Sequence, residues 1–154
     1  MTTADRLRRA LDAAVPRLLA IADAAAARRP APGKWSPKEV IGHLVDSASN
    51  NHQRFVRARF GPDLVFPGYA QDEWVAAQRY AEAPWRELVE LWRAFNLHMA
   101  RVIETTPPDV ADRPRARHNL HEIGWNKVAA TEPATLAGLM ADYVAHLEHH
   151  LRQI

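Results

Sequence analysis

The sequence predicts an all-α four-helix bundle with long irregular connections, and three observations carry that prediction. Four long segments repeat apolar residues at helical spacing. Clusters of proline and glycine separate them. A single strand-like run, residues 120–125, reads more simply as loop. With 154 residues, 47% of them hydrophobic, the chain suits one compact domain over residues 1–154 with a sizeable core.

In the first segment Leu7, Leu11, Val15, Leu18 and Leu19 recur at helical spacing, so residues 3–27 are expected to form a helix that Pro16 bends or divides. The Arg-Pro-Ala-Pro-Gly run at 29–33 then makes a loop. Ser36-Pro37-Lys38-Glu39 is a helix start: Ser36 caps, Pro37 suits the first turn, and Glu39 completes a capping box. On this second helix Val40, Ile41, Leu44, Val45, Ala48 and Phe55 share a face. His43, Asp46, Ser47, Asn50 and Arg54 form a polar stripe opposite. Such a stripe is either solvated or lines an open cleft.

Residues 61–71 hold Gly61-Pro62 and Pro67-Gly68, a loop too long for a tight turn and of a kind that often covers a site. A short helix over 72–80 would carry Trp74, which reads as core packing or, with Tyr69, as a roof over a pocket. Pro84 opens the third long helix, whose apolar face is Leu88, Leu91, Trp92, Phe95, Met99, Val102 and Ile103. His98 on its flank has no neighbour at ligand spacing and reads as an ordinary helix residue. Residues 105–134 are the least regular stretch, and His118 and His121 within it read as surface groups. Thr135 caps the last helix, along which Leu136, Leu139, Met140, Tyr143, Val144, Leu147, Leu151 and Ile154 make the buried face.

That last helix ends in His146, His149 and His150. One reading is a solvated histidine-rich end; the other is a metal grip. Projected at about 100° per residue, His150 falls roughly 60° from the centre of the apolar face, His146 roughly 100° and His149 roughly 160°. His146 and His150 therefore look inward from one edge, about 6 Å apart along the axis, and His149 points out. Two imidazoles make a weak site. A third from another helix would complete a three-ligand set with an open position, and His43 is the best-placed candidate. Asp142, one turn before His146, and Asp46, one turn after His43, are candidates to orient ligands or accept protons, or are plain solvated acids.

Composition excludes several functions. A formal charge of +2 with arginines scattered among acids leaves no phosphate-tracking stripe, so no nucleic-acid binding is expected. With no cysteine the chain has neither disulfide nor protein thiol, and any sulfur chemistry must come from a co-substrate. Asp5, Arg8, Arg9 and Asp12 interrupt any signal-peptide core, and no segment approaches a membrane span. A cytoplasmic protein free of the membrane is the expectation.

Lys34-Trp35-Ser36, then Gly42-His43-Leu44-Val45-Asp46-Ser47, then Gly68-Tyr69-Ala70-Gln71-Asp72-Glu73-Trp74, and finally the run from His146 to Ile154 resemble, in this order, the DinB-like superfamily of bacterial metal-binding four-helix bundles, in particular its YfiT-like branch. The resemblance covers most of the chain from Lys34 onwards. It implies a divalent metal held by His43, His146 and His150, with zinc or nickel first and manganese or iron as alternatives. It implies an enzyme for small-molecule substrates, foremost an S-transferase using a low-molecular-weight thiol of the bacillithiol or mycothiol type. A metal-dependent hydrolase and a non-catalytic binding module are the alternatives. A homodimer is implied as well. Residues 117–133 depart from the branch in length and turn content, so no substrate contacts are carried over.

Overall fold

Eight helices make up the computed structural model, which describes Met1–Ile154. In chain order they are α1 (Thr3–Leu19), α2 (Asp23–Ala26), α3 (Pro37–Ala58), α4 (Gln71–Ala77), α5 (Trp85–Glu104), α6 (Pro108–Ala111), α7 (Leu120–Ile123) and α8 (Leu136–Leu151), with a 3₁₀ turn at Tyr80–Glu82 before α5. The long helices α1, α3, α5 and α8 form a four-helix bundle. Each of α1 and α3 packs against both α5 and α8, so the order around the bundle is α1, α5, α3, α8. The connections leaving α1 and α5 thus cross to the diagonal helix, while the one leaving α3 joins neighbours. No helix is long and apolar enough to cross a membrane.

The apolar stripes meet as their spacing requires. Leu7, Leu11 and Leu18 of α1, Ile41, Leu44 and Phe55 of α3, Trp92 and Met99 of α5, and Leu136, Met140 and Leu147 of α8 are fully buried. Polar contacts then fix the helices against one another. Arg6 pairs with Glu148 at 2.6 Å, joining α1 to α8, and Arg17 donates to the carbonyl of Leu151 at 3.1 Å, closing the C-terminus of α8. Asp23 of α2 accepts from Lys38 Nζ and from the Trp85 backbone N–H, both at 2.9 Å, so one carboxylate ties α3 to α5.

The start of α3 carries the expected capping box. Glu39 N–H donates to Ser36 Oγ at 3.3 Å and Ser36 N–H donates to Glu39 Oε2 at 2.8 Å. Arg29 clamps the same carboxylate at 2.6 Å. Burial pushes Glu39 up, but the Arg29 guanidinium and the Ser36 bonds outweigh it and hold the carboxyl below its usual range. Further along, a Cβ on Gly42 would lie 2.2 Å from the Tyr80 ring. The absent side chain lets Tyr80 lie flat on α3 and reach Asp46, one turn on, at 2.7 Å.

Several local expectations change. The first helix stops at Leu19 and a separate turn follows at Asp23–Ala26; Pro16 lies inside α1 and does not divide it. Residues 120–123 are a helical turn rather than strand or open loop. Trp74 is not core: 39% of it is exposed, against the ring of Tyr69. His118 is not a surface group. It is buried, with Nε2 2.7 Å from the Glu132 carbonyl and Nδ1 accepting from Leu120 N–H, and so it staples the irregular segment to itself.

Candidate metal centre

α3 and α8 are neighbours in the bundle, and their polar edges face one another. One ligand atom from each of His43, His146 and His150 lies within 4.8 Å of the other two. His43 Nε2 and His146 Nε2 are 3.1 Å apart. Two nitrogens held at about 2.0–2.1 Å from a tetrahedral zinc are themselves about 3.3–3.4 Å apart, so the spacing suits a shared cation. His150 Nδ1 lies 2.8 Å from Gln153 Oε1. An amide oxygen only accepts, so the proton sits on Nδ1 and leaves Nε2 bare as a donor atom.

Burial holds all three imidazoles neutral, the form that binds metal. His43 and His146 are each pushed down to about 3, first by burial and then by the neighbouring histidines. His150 is lowered by burial, partly opposed by its bond to Gln153. His43 Nδ1 and Asp46 Oδ2, one turn apart on α3, are both buried without a partner. The donor set and its protonation fit a divalent ion of the kind imidazole binds.

The two acids singled out from the sequence bond other groups, although Asp142 lines the same cavity as His146 and His150. Asp46 does not bond a histidine; its Oδ1 accepts from Tyr80 Oη and Gln78 Nε2, each at 2.7 Å. Burial raises it, and those two bonds oppose the rise. Asp142 makes no bond to His146. Its carboxylate accepts from the backbone N–H of Trp125 at 2.7 Å and of Asn126 at 2.8 Å, and from Asn126 Nδ2 at 2.8 Å. It anchors the irregular segment to α8.

That anchor sets Trp125 over the histidines, with its ring centroid 5.3 Å from that of His146, 4.6 Å from His149 and 6.1 Å from His150. His149 therefore does not project freely into solvent. It stands apart from the converging three, half-buried beside Trp125. On the other side Trp35 lies 4.9 Å from His43 and 6.2 Å from His150. Trp35 and Trp125 flank the cluster, and of the two expected roof residues Tyr69 lines the cleft while Trp74 does not.

The cluster opens into a cleft of about 470 Å³, bounded by α3, α8 and the segments around Tyr69 and Trp125. Its α3 wall is Ser47, Asn51 and Arg54, all buried; Ser47 and Arg54 come from the predicted polar stripe, and Asn51 stands in place of Asn50. Ser47 Oγ is 3.5 Å from His146 Nδ1. Tyr69 borders the cleft, its hydroxyl pushed up to about 12 by burial, with the Arg54 guanidinium pulling the other way. Of these residues, Gln153 was findable from its place one turn beyond His150. Trp125 and the depth of Arg54 had no periodic signal.

A four-helix bundle with a buried three-histidine cluster at the wall of a polar cleft is the class that fold and site define. The sequence profile of the DinB superfamily matches residues 5–154, and the chain belongs to that superfamily. Among solved structures, YfiT from Bacillus subtilis superposes with a TM-score of 0.79 at 18% sequence identity, covering 99% of this chain and 81% of its own. It is described as a probable metal-dependent hydrolase with an unusual four-helix bundle topology. At that identity the likeness is one of fold. No curated protein matches the chain in sequence.

Proposed function

We propose that the chain is a cytoplasmic, metal-dependent enzyme for small molecules, with His43, His146 and His150 holding a divalent ion, zinc or nickel first, at the inner end of the cleft. The observation that carries this is the convergence of three neutral imidazoles on a cleft wall that is otherwise polar. Bound there, such an ion acidifies a water or a thiol and keeps its full positive charge, because all its protein ligands are neutral.

The thiol reading follows the family resemblance, and the chain, which has no cysteine, would take its sulfur from a co-substrate. Of the acids near the cluster, Asp142 is held by the Trp125 segment, while Asp46 accepts from Tyr80 and Gln78 through Oδ1 and keeps Oδ2 buried without a partner. A thiol and a water each lose one proton before attack, and an ion held by the three histidines would lower the pKa of either, with that proton released through the cleft to solvent. The bond formed is from sulfur to the electrophilic carbon, and the bond broken is from that carbon to its leaving group. Trp35 and Trp125 limit water around the histidines, and the protonated Tyr69 can donate a hydrogen bond into the cleft. The hydrolase reading rests on the fold neighbour's description and on Glu122, an acid on the cleft rim.

Turnover of a small electrophile with and without an added bacillithiol- or mycothiol-type thiol separates the two readings. The transferase requires the thiol, and turnover undiminished without it makes the chain a hydrolase. A homodimer belongs to the same proposal; Leu91 and Leu97 stand exposed on α5, and light scattering gives the mass.

A further inference from the structure

Arg54 is 6% exposed and has no acid partner. Every ion pair in the protein joins other residues. Its Nη1 donates to Asn51 Oδ1 at 3.4 Å and its Nη2 to the Pro67 carbonyl at 3.1 Å. That uses two of five N–H donors. The second buried arginine without an acid, Arg115, closes the C-terminal end of α3 through the Ala58 carbonyl at 3.1 Å and borders none of the described clefts. Arg54 instead borders the cleft that contains His146 and His150. A buried guanidinium without a counter-charge is costly, and an oxyanion is the partner that relieves the cost, through a two-pronged bond.

Position along α3 adds a length. His146 meets Ser47 at 3.5 Å, Ser47 Oγ accepts from Asn51 at 3.4 Å, and Asn51 accepts from Arg54 at 3.4 Å. Ser47 and Arg54 are about 10 Å apart along the helix axis, less at the side-chain tips because helical side chains lean toward the N-terminus. Tyr69 adds a hydroxyl donor on the facing wall, and Lys127 a cation on the rim.

We infer that Arg54 is the substrate's anion anchor: the cleft takes a small molecule whose reactive atom lies at the three histidines and whose far end, within about 10 Å, is a carboxylate or phosphate. This rests on the cleft being the substrate site, and it does not depend on which nucleophile acts there.

Calorimetric titration with succinate and with inorganic phosphate, at constant ionic strength, tests it on chelated and on zinc-loaded full-length protein. At least one anion should bind the chelated wild type, the tighter naming the class of head group. Arg54→Met should weaken that binding about thirtyfold or more. Arg54→Lys, which keeps the charge without the fork, should weaken it less and covers a methionine variant that does not fold. Absence of binding by both anions, or affinity unchanged in either variant, overturns the assignment. Stoichiometric zinc together with absent anion binding would remove this inference alone. Anion binding by protein whose histidine variants keep their metal would remove the metal reading alone.

Discussion

Asp142 holds Trp125 and Asn126, and its removal tests a single residue's role in shaping the cleft. Asp142→Ala frees two backbone N–H groups and an amide, at a cost of about 1 kcal/mol for bonds this close to solvent. Trp125 then loses its post over His146 and His149, so tryptophan emission should shift to longer wavelength and KM rise while metal content stays the same. Loss of metal in this variant would make Asp142 part of the ligand set. His146 and His150 were legible because helical spacing fixes the angle of each side chain, whereas His43 fell on a polar stripe opposite the apolar face and was reached through its polar company and the family resemblance, although it is fully buried. His149 was only half legible: the angle kept it apart from the other three, but a ring's exposure depends on what covers it, and the Trp125 segment has no period to read. Asp142 was singled out as a ligand-orienting group or a plain solvated acid, and its bonds to residues 125 and 126 were not legible because they run through an irregular loop. Arg54 was read as part of a polar stripe that was either solvated or a cleft wall, and only the packing of α8 and of residues 67–69 decides for the cleft.

Helix α3 is the element on which the site depends, and two substitutions probe how it is set. Gly42→Ala places a methyl into the Tyr80 ring, where the Cβ would stand 2.2 Å away. The rigid ring must move, at about 1–3 kcal/mol, and the Tyr80 bond to Asp46 goes with it. Thermal unfolding should show a drop of several degrees, about 2–4 °C per kcal/mol in a chain of this size. Glu39→Gln removes the charged half of the capping box. Glu39 is held below its ordinary value, so its contribution is present above about 4.5 and is lost as pH falls through the lowered folded value. The variant should be less stable than wild type by about 1 kcal/mol at neutral pH, and the two should converge at acid pH. A gap that widens below pH 4 contradicts that sign. The start of α3 was legible because capping chemistry is local. The end of α1 was not: residues 20–27 are rich in alanine, which favours helix everywhere and marks no stopping point, so the break before Asp23 comes from that residue's bonds to Lys38 and Trp85.

At the scale of the whole molecule, a metal held by His43 of α3 and by His146 and His150 of α8 would cross-link two neighbouring helices of the bundle. Chelation should therefore lower Tm without unfolding the protein, because the contacts of α1 and α5 do not involve the site. With free metal about a thousandfold above its dissociation constant the loss is about 4 kcal/mol, or on the order of 10 °C. The bundle was legible from four apolar stripes; its order, α1, α5, α3, α8, was not, since periodicity gives each helix a buried face but does not say which helix that face meets. The adjacency of α3 and α8 turns three separated histidines into one cluster. Elemental analysis of protein purified without a histidine tag tests that most directly, with His43→Ala, His146→Ala, His150→Ala and, as the control, His149→Ala. The expected result is one divalent ion per site in the wild type and in His149→Ala, and its loss in each of the other three. Metal retained in those three, or lost equally in His149→Ala, would contradict the proposed centre.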